Sequence, residues 1–387
     1  MTFEARVAAA IQILDRVLAG EAAEKALTGW ARKSRFAGSK DRAAIRDHVF
    51  DALRQKRSLA WLGGSESGRG LMLGALRRAE HNLDAVFTGQ GFAPAPVSEA
   101  ERSAFGAEGN MPDAVRLDLP DWAFEMARES LQGDLAAACE ALQSRAPVYL
   151  RVNSAKTDRA AAIAALADEA IIAQPSDLAA TALLVTDNAR RVSQSRAYQD
   201  GSVELQDAAS QAVLAGLPQA QKVLDYCAGG GGKALALAAT GADVFAHDVD
   251  PDRMRDLPAR AARAGVHITQ VSAKQARSRG PYDMVLCDVP CSGSGAWRRS
   301  PDGKWRLTPD RLQRLLSEQA KILDSVAGLV AEGGALVYVT CSIFDAENKD
   351  QVAQFVQRNS SWKVAATKRY LPHQGGDGFF VAVLRRD

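Results

Sequence analysis

The sequence predicts an α/β protein: a doubly wound, mostly parallel sheet in its C-terminal half, preceded by an all-helical domain and a small α+β module. Three observations predict it. From about residue 216, short apolar runs alternate with helical stretches, as they do where crossover helices connect parallel strands. Residues 1 to 85 carry the three-and-four spacing of packed helices and no alternating strand. Between these parts lies a stretch punctuated by Gly and Pro, then a piece in which strands neighbour helices. We therefore expect domains at 1–115, 116–215 and 216–387.

In the first domain Val7, Ile11, Leu14, Val17 and Leu18 mark the apolar stripe of an opening helix. Asp15 and Arg16 make this stretch amphipathic, so it does not read as a secretory signal. No run approaches the ~18 apolar residues of a bilayer span. With 47% hydrophobic and 24% charged residues, composition fits a soluble cytoplasmic protein. Residues 1–60 hold 12 Lys and Arg against 7 acids, a basic bias that suits a polyanion but does not require one. The five cysteines form no CxxC pair, which argues against a disulfide framework or a zinc cluster; no metal is expected.

The middle module opens with helical "DWAFEMARESLQGDLAAACEALQSRAP". "VYLRVNSAKTDRAAAIAALADEA" then reads as a strand and a helix, and "ALLVTD" as a further strand. In the last domain "KVLDY", "DVFAHD", "ITQVS", "DMVLCDVP", "ALVYVTCS" and "FFVAVLRR" are the strand candidates. Helices separate them, the longest at about 310–331. Ligands of such sheets bind at the carboxyl ends of the strands. That edge would hold the glycine loop, Asp248, the Asp288–Gly295 loop and Cys341.

"VLDYCAGGGGKALALAA" is a strand, a four-glycine turn and a helix, which lets a backbone approach a ligand closely. It is not a nucleotide-binding P-loop, because Cys227 and Ala234 stand where that motif needs Gly and Ser or Thr. Asp248 ends the next strand, placed to take ribose hydroxyls, with Asp250 also in reach. Spacing alone fits a dinucleotide or S-adenosylmethionine. Cys291 and Cys341 each end a strand, and two thiols beside a cofactor loop suit attack on an electron-poor ring. A thiolate adding to C6 of cytosine makes C5 nucleophilic enough to accept a methyl group. An acid at the N3 edge can stabilise the product of that addition, and a base must then remove the C5 proton. The residues supply such a set as Cys341 or Cys291, with Asp288.

"YCAGGGGK", "CDVPCSGSG", "RRSPDGKW" and "YVTCS" together resemble the RNA 5-methylcytosine methyltransferases of the Sun/Nop2 type. "VYLRVNSAK", "VELQDAASQ" and "DGFFVAVLRR" extend the resemblance over most of residues 116 to 387, and the first domain is similar to NusB-like RNA-binding modules. The resemblance implies a Rossmann-like class I methyltransferase domain with an RRM-like middle module. It implies S-adenosyl-L-methionine as cofactor, held by Cys227, Ala228, Gly229, Gly230, Gly231, Gly232, Lys233, Asp248 and Asp288. It also implies Cys341 as nucleophile, Cys291 as the group assisting product release and Asp288 as the acid near the base. The expected partner is RNA, ribosomal before transfer RNA, handled by a monomer that engages neither DNA nor membrane. A non-catalytic assembly factor is the rival from another class.

Two positions depart from the family pattern. Gly229 and Gly230 stand where Ala and Pro are usual, which predicts a looser loop. Lys274 stands near where relatives carry an acid for the adenine. The run Arg298, Arg299, Lys304 and Arg306, interleaved with Trp297 and Trp305, is expected to contact phosphates and stack bases.

Overall fold

The computed structural model describes residues 1–386, and the chain divides into two compact units. One comprises Met1–Arg145 with Trp297–Leu307, and the other Ala146–Ala296 with Thr308–Asp387.

The first unit is helical. Helices Phe3–Leu18, Ala23–Lys33, Ser39–Arg54, Lys56–Gly63 and Gly68–Arg78 surround a core that includes Val7, Ile13, Leu14, Ile45, Leu53 and Leu71. The first helix starts at Thr2, whose hydroxyl accepts from the Ala5 amide and so satisfies one orphan donor. Its buried stripe is Val7, Ala10, Ile13 and Leu14, because small alanines let neighbours approach there. Ile11, Val17 and Leu18 are only partly covered. Helices Asp121–Leu131 and Leu135–Leu142 also belong to this unit. Asp118 fixes the chain just before them. Its buried carboxylate accepts from the Ser58 amide at 2.9 Å, the Ser58 hydroxyl at 2.7 Å and the Gln143 side chain at 2.9 Å. Residues 116–145, expected with the α+β module, are therefore tied into the helical unit.

Trp297–Leu307 overturns an expectation. Trp297, Arg298 and Lys304 are buried in the helical unit, so they do not form an open phosphate-binding face; Arg299 and Arg306 are exposed. The segment caps the C-terminus of helix Ser39–Arg54. Lys304 Nζ donates to the Arg54 carbonyl at 3.0 Å, and Trp305 Nε1 donates to the Leu53 carbonyl at 2.7 Å. Those are carbonyls that a helix end leaves unpaired, and a cation is favoured there by the helix dipole. Arg54 returns the contact, its Nε donating to the Arg298 carbonyl at 2.7 Å. The basic-aromatic pattern resembled an RNA-binding loop because capping and phosphate binding call on the same residue types.

In the second unit, β1 (Val148–Val152), β2 (Ile172–Pro175), β3 (Ala182–Asp187) and β4 (Val203–Leu205) form an antiparallel sheet of order β2-β3-β1-β4. β5 (Lys222–Asp225), β6 (Asp243–Ala246), β7 (Ile268–Gln270), β8 (Tyr282–Asp288), β9 (Val330–Thr340), β10 (Trp362–Tyr370) and β11 (Phe379–Arg386) form the larger sheet. Its order is β10-β11-β9-β8-β5-β6-β7. The strands β9-β8-β5-β6-β7 run parallel, and β11 and β10 complete the edge antiparallel. The doubly wound sheet is thus as the alternation predicts. β10 gave no strand signal because most of its residues are exposed and polar or small. The two sheets share one body: Asn153 donates to the Ala264 carbonyl at 2.8 Å and Tyr149 to the Gly375 carbonyl at 2.9 Å. Among the described residues, no helix is long and apolar enough to cross a membrane.

Burial pulls the Lys304 pKa down to about 8, only partly opposed by Asp118. A lysine whose folded pKa lies below its unfolded value binds fewer protons folded than unfolded between about 8 and 10.5. Its burial therefore costs most below pH 8, and stability should rise as pH climbs above that value. Urea midpoints at pH 7.5 and 9.5 should show this rise in the wild type, and Lys304→Met should flatten it. An equal rise in both proteins would mean that another group carries it.

Candidate active site

Strand order reverses at β5, with β6 and β7 on one side and β8 and β9 on the other. Such a switch point opens a crevice at the carboxyl strand ends. The loop after β5 is the glycine turn, and it is held more firmly than its composition suggests. The Ala228 amide donates to the His247 carbonyl at 2.9 Å and the Gly229 amide to Asp248 at 2.8 Å. Arg260 donates to the Gly230 carbonyl. Gly231 has φ 79°, and a Cβ there would lie 2.3 Å from Leu257. Two arginines and a carboxylate thus restrain the turn that two extra glycines would loosen.

Asp248 is part of that restraint. Its side chain is 1% exposed and also pairs with Arg253 at 3.2 Å and accepts from the Asp250 amide at 3.0 Å. Asp250, by contrast, is exposed at the same sheet edge.

Two cavities flank the turn and share Cys227 and Arg253. The smaller, about 230 Å³, is lined by Gln206, Ser210, Asp225, Gly229, Lys233 and Asp288 among others. The larger, about 440 Å³, is lined by Tyr226, Asp248, Val249, Ala273, Glu318 and Ile322 among others. Lys274 is not part of this lining, whereas Glu318 brings an acid to it from helix Pro309–Val326. Within the smaller cavity Lys233 binds Asp288 at 2.6 Å. Burial works against the lysine's charge, but Asp288 and then Asp225 outweigh it and hold its pKa above the usual value.

Asp225 is the group sequence reasoning missed. It ends β5, buried, and neither oxygen has a well-formed hydrogen bond within the chain; the nearby Ala234 amide exerts only a weak pull. Burial, and then the charge of Asp288, push its pKa up to about 7. An orphaned acid lining a cavity of this kind fits a cationic ligand group. The α-amino end of S-adenosylmethionine is such a group, the residues present fit that cofactor, and Gln206 and Ser210 in the same lining would offer further polar contacts. Cys227 lies between the two cavities, and burial above all holds its pKa well above the ordinary thiol range.

The two remaining thiols meet. Cys291 Sγ lies 3.4 Å from Cys341 Sγ. The hydrogen bond to Cys341, then burial, then the charge on Cys341 hold the Cys291 pKa well above the ordinary range.

Glu347 holds both loops. It is fully buried, and one carboxylate oxygen accepts from the Ser292 amide at 2.7 Å and Gln319 at 3.0 Å. The other accepts from the Ser342 hydroxyl at 2.5 Å and from the Ser292 hydroxyl. Ser292 and Ser342 are the residues that follow the two thiols. Behind them the Gly295 amide donates to the Cys341 carbonyl at 2.9 Å, and a Cβ on Gly295 would sit 2.3 Å from the Gly378 carbonyl oxygen. In sequence Glu347 lay within "DAENKD", an acid among charged neighbours at a helix start, and nothing distinguished it from a solvated one.

Glu347→Gln leaves one acceptor oxygen for four donors. Denaturant unfolding should show a loss of ~2–4 kcal/mol, the range for stripping charge from a buried network. Cys291 and Cys341 should also react faster with iodoacetamide. Wild-type stability with wild-type alkylation rates would remove Glu347 from this role.

The family model described as 16S rRNA methyltransferase RsmB/F matches residues 212–385, and the RsmF/B-like ferredoxin-like domain matches residues 119–192. Ribosomal RNA small subunit methyltransferase B of Xylella fastidiosa is 35% identical over 289 residues, covering 69% of this chain and 67% of that one. The enzyme of the same name from Vibrio cholerae is 32% identical over 305 residues, covering 74% and 70%. The fold is shared with a methyltransferase homologue from Pyrococcus horikoshii at a TM-score of 0.62 and 22% identity, over 73% of this chain and 100% of that one. With a cofactor crevice at the switch point and these matches across both sheets, the chain belongs to the RsmB/F family of S-adenosylmethionine-dependent RNA methyltransferases.

Proposed function

We propose that this chain methylates C5 of a cytosine in 16S ribosomal RNA through a covalent bond between Cys341 and C6 of the base. The observation that carries this reading is the pair of thiols 3.4 Å apart at adjoining strand ends, beside the Lys233–Asp288 pair. S-adenosylmethionine, when bound, supplies the methyl group.

Asp225 would hold the cofactor's ammonium, and Asp248, which lines the larger cavity, would take its ribose hydroxyls while keeping the glycine turn in shape. The Cys341 thiolate adds to C6, the C5–C6 π electrons move to C5, and Asp288 stabilises the N3 edge of the base. Once C5 has been methylated, its proton must leave before the C6–S bond can break. Cys291 is built for that later step. Cys291, its proton passed to solvent, takes the C5 proton as a thiolate from a position 3.4 Å from the Cys341 sulfur. The C5–H electrons restore the double bond as Cys341 departs. The target base has to be unpaired or flipped for its C6 to reach the thiol. We assign 1–115 to RNA binding, 116–215 to a small α+β module whose residues up to 145 pack in the helical unit, and 216–387, apart from the helix-capping segment 297–307, to catalysis, and place the protein as a monomer in the cytoplasm with its RNA.

Cys341→Ala should abolish methyl transfer to ribosomal RNA. Cys291→Ala should instead accumulate a protein–RNA adduct, visible as a slowly migrating band in denaturing gels. Activity in the first variant, or loss of chemistry without an adduct in the second, reverses or removes these roles.

Asp225 gives a second test, from its pKa raised to about 7. An acid with a raised folded pKa burdens the ligand-free fold as it ionises, so stability falls as pH climbs from about 4 to about 7. A bound cation favours the ionised form. Calorimetric affinity for S-adenosylmethionine should therefore weaken up to about tenfold per pH unit below pH 7. Asp225→Asn should bind weakly with a flat profile between pH 5.5 and 7.5. A flat wild-type profile would exclude Asp225 from the cofactor site.

A further inference from the structure

The larger cavity beside the glycine turn has apolar walls made by Val249, Ala273, Pro290 and Ile322. Two acids join that lining from different elements, Asp248 from the end of β6 and Glu318 from helix Pro309–Val326. Val249 is 82% exposed, so its side chain gains little from folding where it stands. It offers an apolar flank to whatever enters the cavity.

Glu318 combines a fixed backbone with a side chain that has no partner. It makes no hydrogen bond or ion pair among the described residues, although Lys321 follows three residues on in the same lining. The next residue pins the helix. Gln319 donates to the Pro290 carbonyl at 2.9 Å and to Glu347 at 3.0 Å, and Pro290 is itself part of the cavity wall. An acceptor is thus carried to the cavity on a rigid support and left without a donor.

Other polar groups near it are already engaged. The Ser325 hydroxyl donates to the Ile322 carbonyl at 2.8 Å, and His247 Nδ1 lies 3.1 Å from the Val271 carbonyl. From the end of β7 Ala273 lines the cavity, whereas the Ser272 hydroxyl caps helix Ala273–Arg279 by accepting from the Gln275 amide at 3.3 Å. Lys274 stands outside the lining, so that strand end brings no acid to it.

The cofactor has the donor that Glu318 lacks. Its methionine end belongs with Asp225 in the smaller cavity, and the two cavities share Cys227 and Arg253. Its adenosine end therefore falls to the larger one, where Asp248 would meet the ribose. Adenine is a flat ring whose 6-amino group donates, and a carboxylate only accepts. We propose that Glu318 accepts a hydrogen bond from the 6-amino group of the cofactor's adenine and so selects adenine over a 6-oxo purine. A 6-oxo purine sets an acceptor oxygen against the carboxylate, and the site rejects it for that reason. The assignment rests on the reading that places the cofactor's ammonium at Asp225.

The test is calorimetry on the full chain with S-adenosylhomocysteine and its deaminated counterpart, S-inosylhomocysteine. The two ligands differ only at the edge of the purine ring, so their affinity ratio cancels any change in fold or net charge. The wild type should bind the adenine ligand about tenfold more tightly. Glu318→Ala should bring the ratio close to one by weakening the adenine ligand. Glu318→Gln should also narrow it, by tightening the inosine ligand, because an amide donates as well as accepts. Melting temperatures should match the wild type, since Glu318 is exposed. A wild-type ratio in Glu318→Ala overturns the proposal, and so does a wild type that binds both ligands alike. Both ligands carry the same ammonium, so Asp225→Asn should weaken them equally and keep the ratio. Failure of the Asp225 assignment thus shows in absolute affinity, and failure of the Glu318 assignment shows in the ratio.

Discussion

The active site depends on one buried carboxylate. Glu347 gathers donors from the residue after Cys291, from the residue after Cys341 and from Gln319. A fully buried acid is expensive unless every lone pair is used, and here four donors use them. Satisfying Glu347 therefore forces the loops after β8 and β9 together, which sets the two sulfurs in contact. The close Gly295–Gly378 approach reinforces the same geometry from behind, since any side chain there would push the loops apart. Chemistry that needs two thiols at one base needs them placed by groups that themselves have no freedom.

The cofactor crevice applies the opposite principle. Asp248 and Asp225 end neighbouring strands as buried acids, yet one is saturated with donors and the other has almost none. The saturated acid shapes the turn, and the unsatisfied one retains the capacity to bind. Arg260 links the turn to the smaller sheet as well, because it lies 3.5 Å from Glu204, which also binds Arg263 at 2.7 Å. The "VELQDAASQ" stretch thus serves the crevice through Glu204, Gln206 and Ser210.

Much of this was legible in the sequence, and what was not has identifiable causes. The parallel strands announced themselves because strands buried on both faces are runs of Val, Leu and Ala. β10 did not, since an edge strand with an exposed face carries no such run. Cys291, Cys341, Asp288 and the glycine turn stood out by motif. Asp225 and Glu347 did not, because an acid's role depends on how many donors surround it, and that number is a property of the fold. Trp297–Leu307 misled for a related reason: a helix C-terminus and a phosphate both present oxygens to Lys and Trp, and local sequence does not say which oxygens are nearest.

The division of labour proposed for the thiols rests on their proximity. Two thiols 3.4 Å apart cannot both ionise cheaply, because the first thiolate raises the pKa of the second. A site with one thiol would have to make the same sulfur attack and then find its base elsewhere. With two, one sulfur can attack while the other serves the exit, which is the division proposed for Cys341 and Cys291. Substituting Cys291 should therefore leave attack possible and stall the exit, because attack spends only the Cys341 thiolate and the exit needs the proton acceptor that Cys291 becomes.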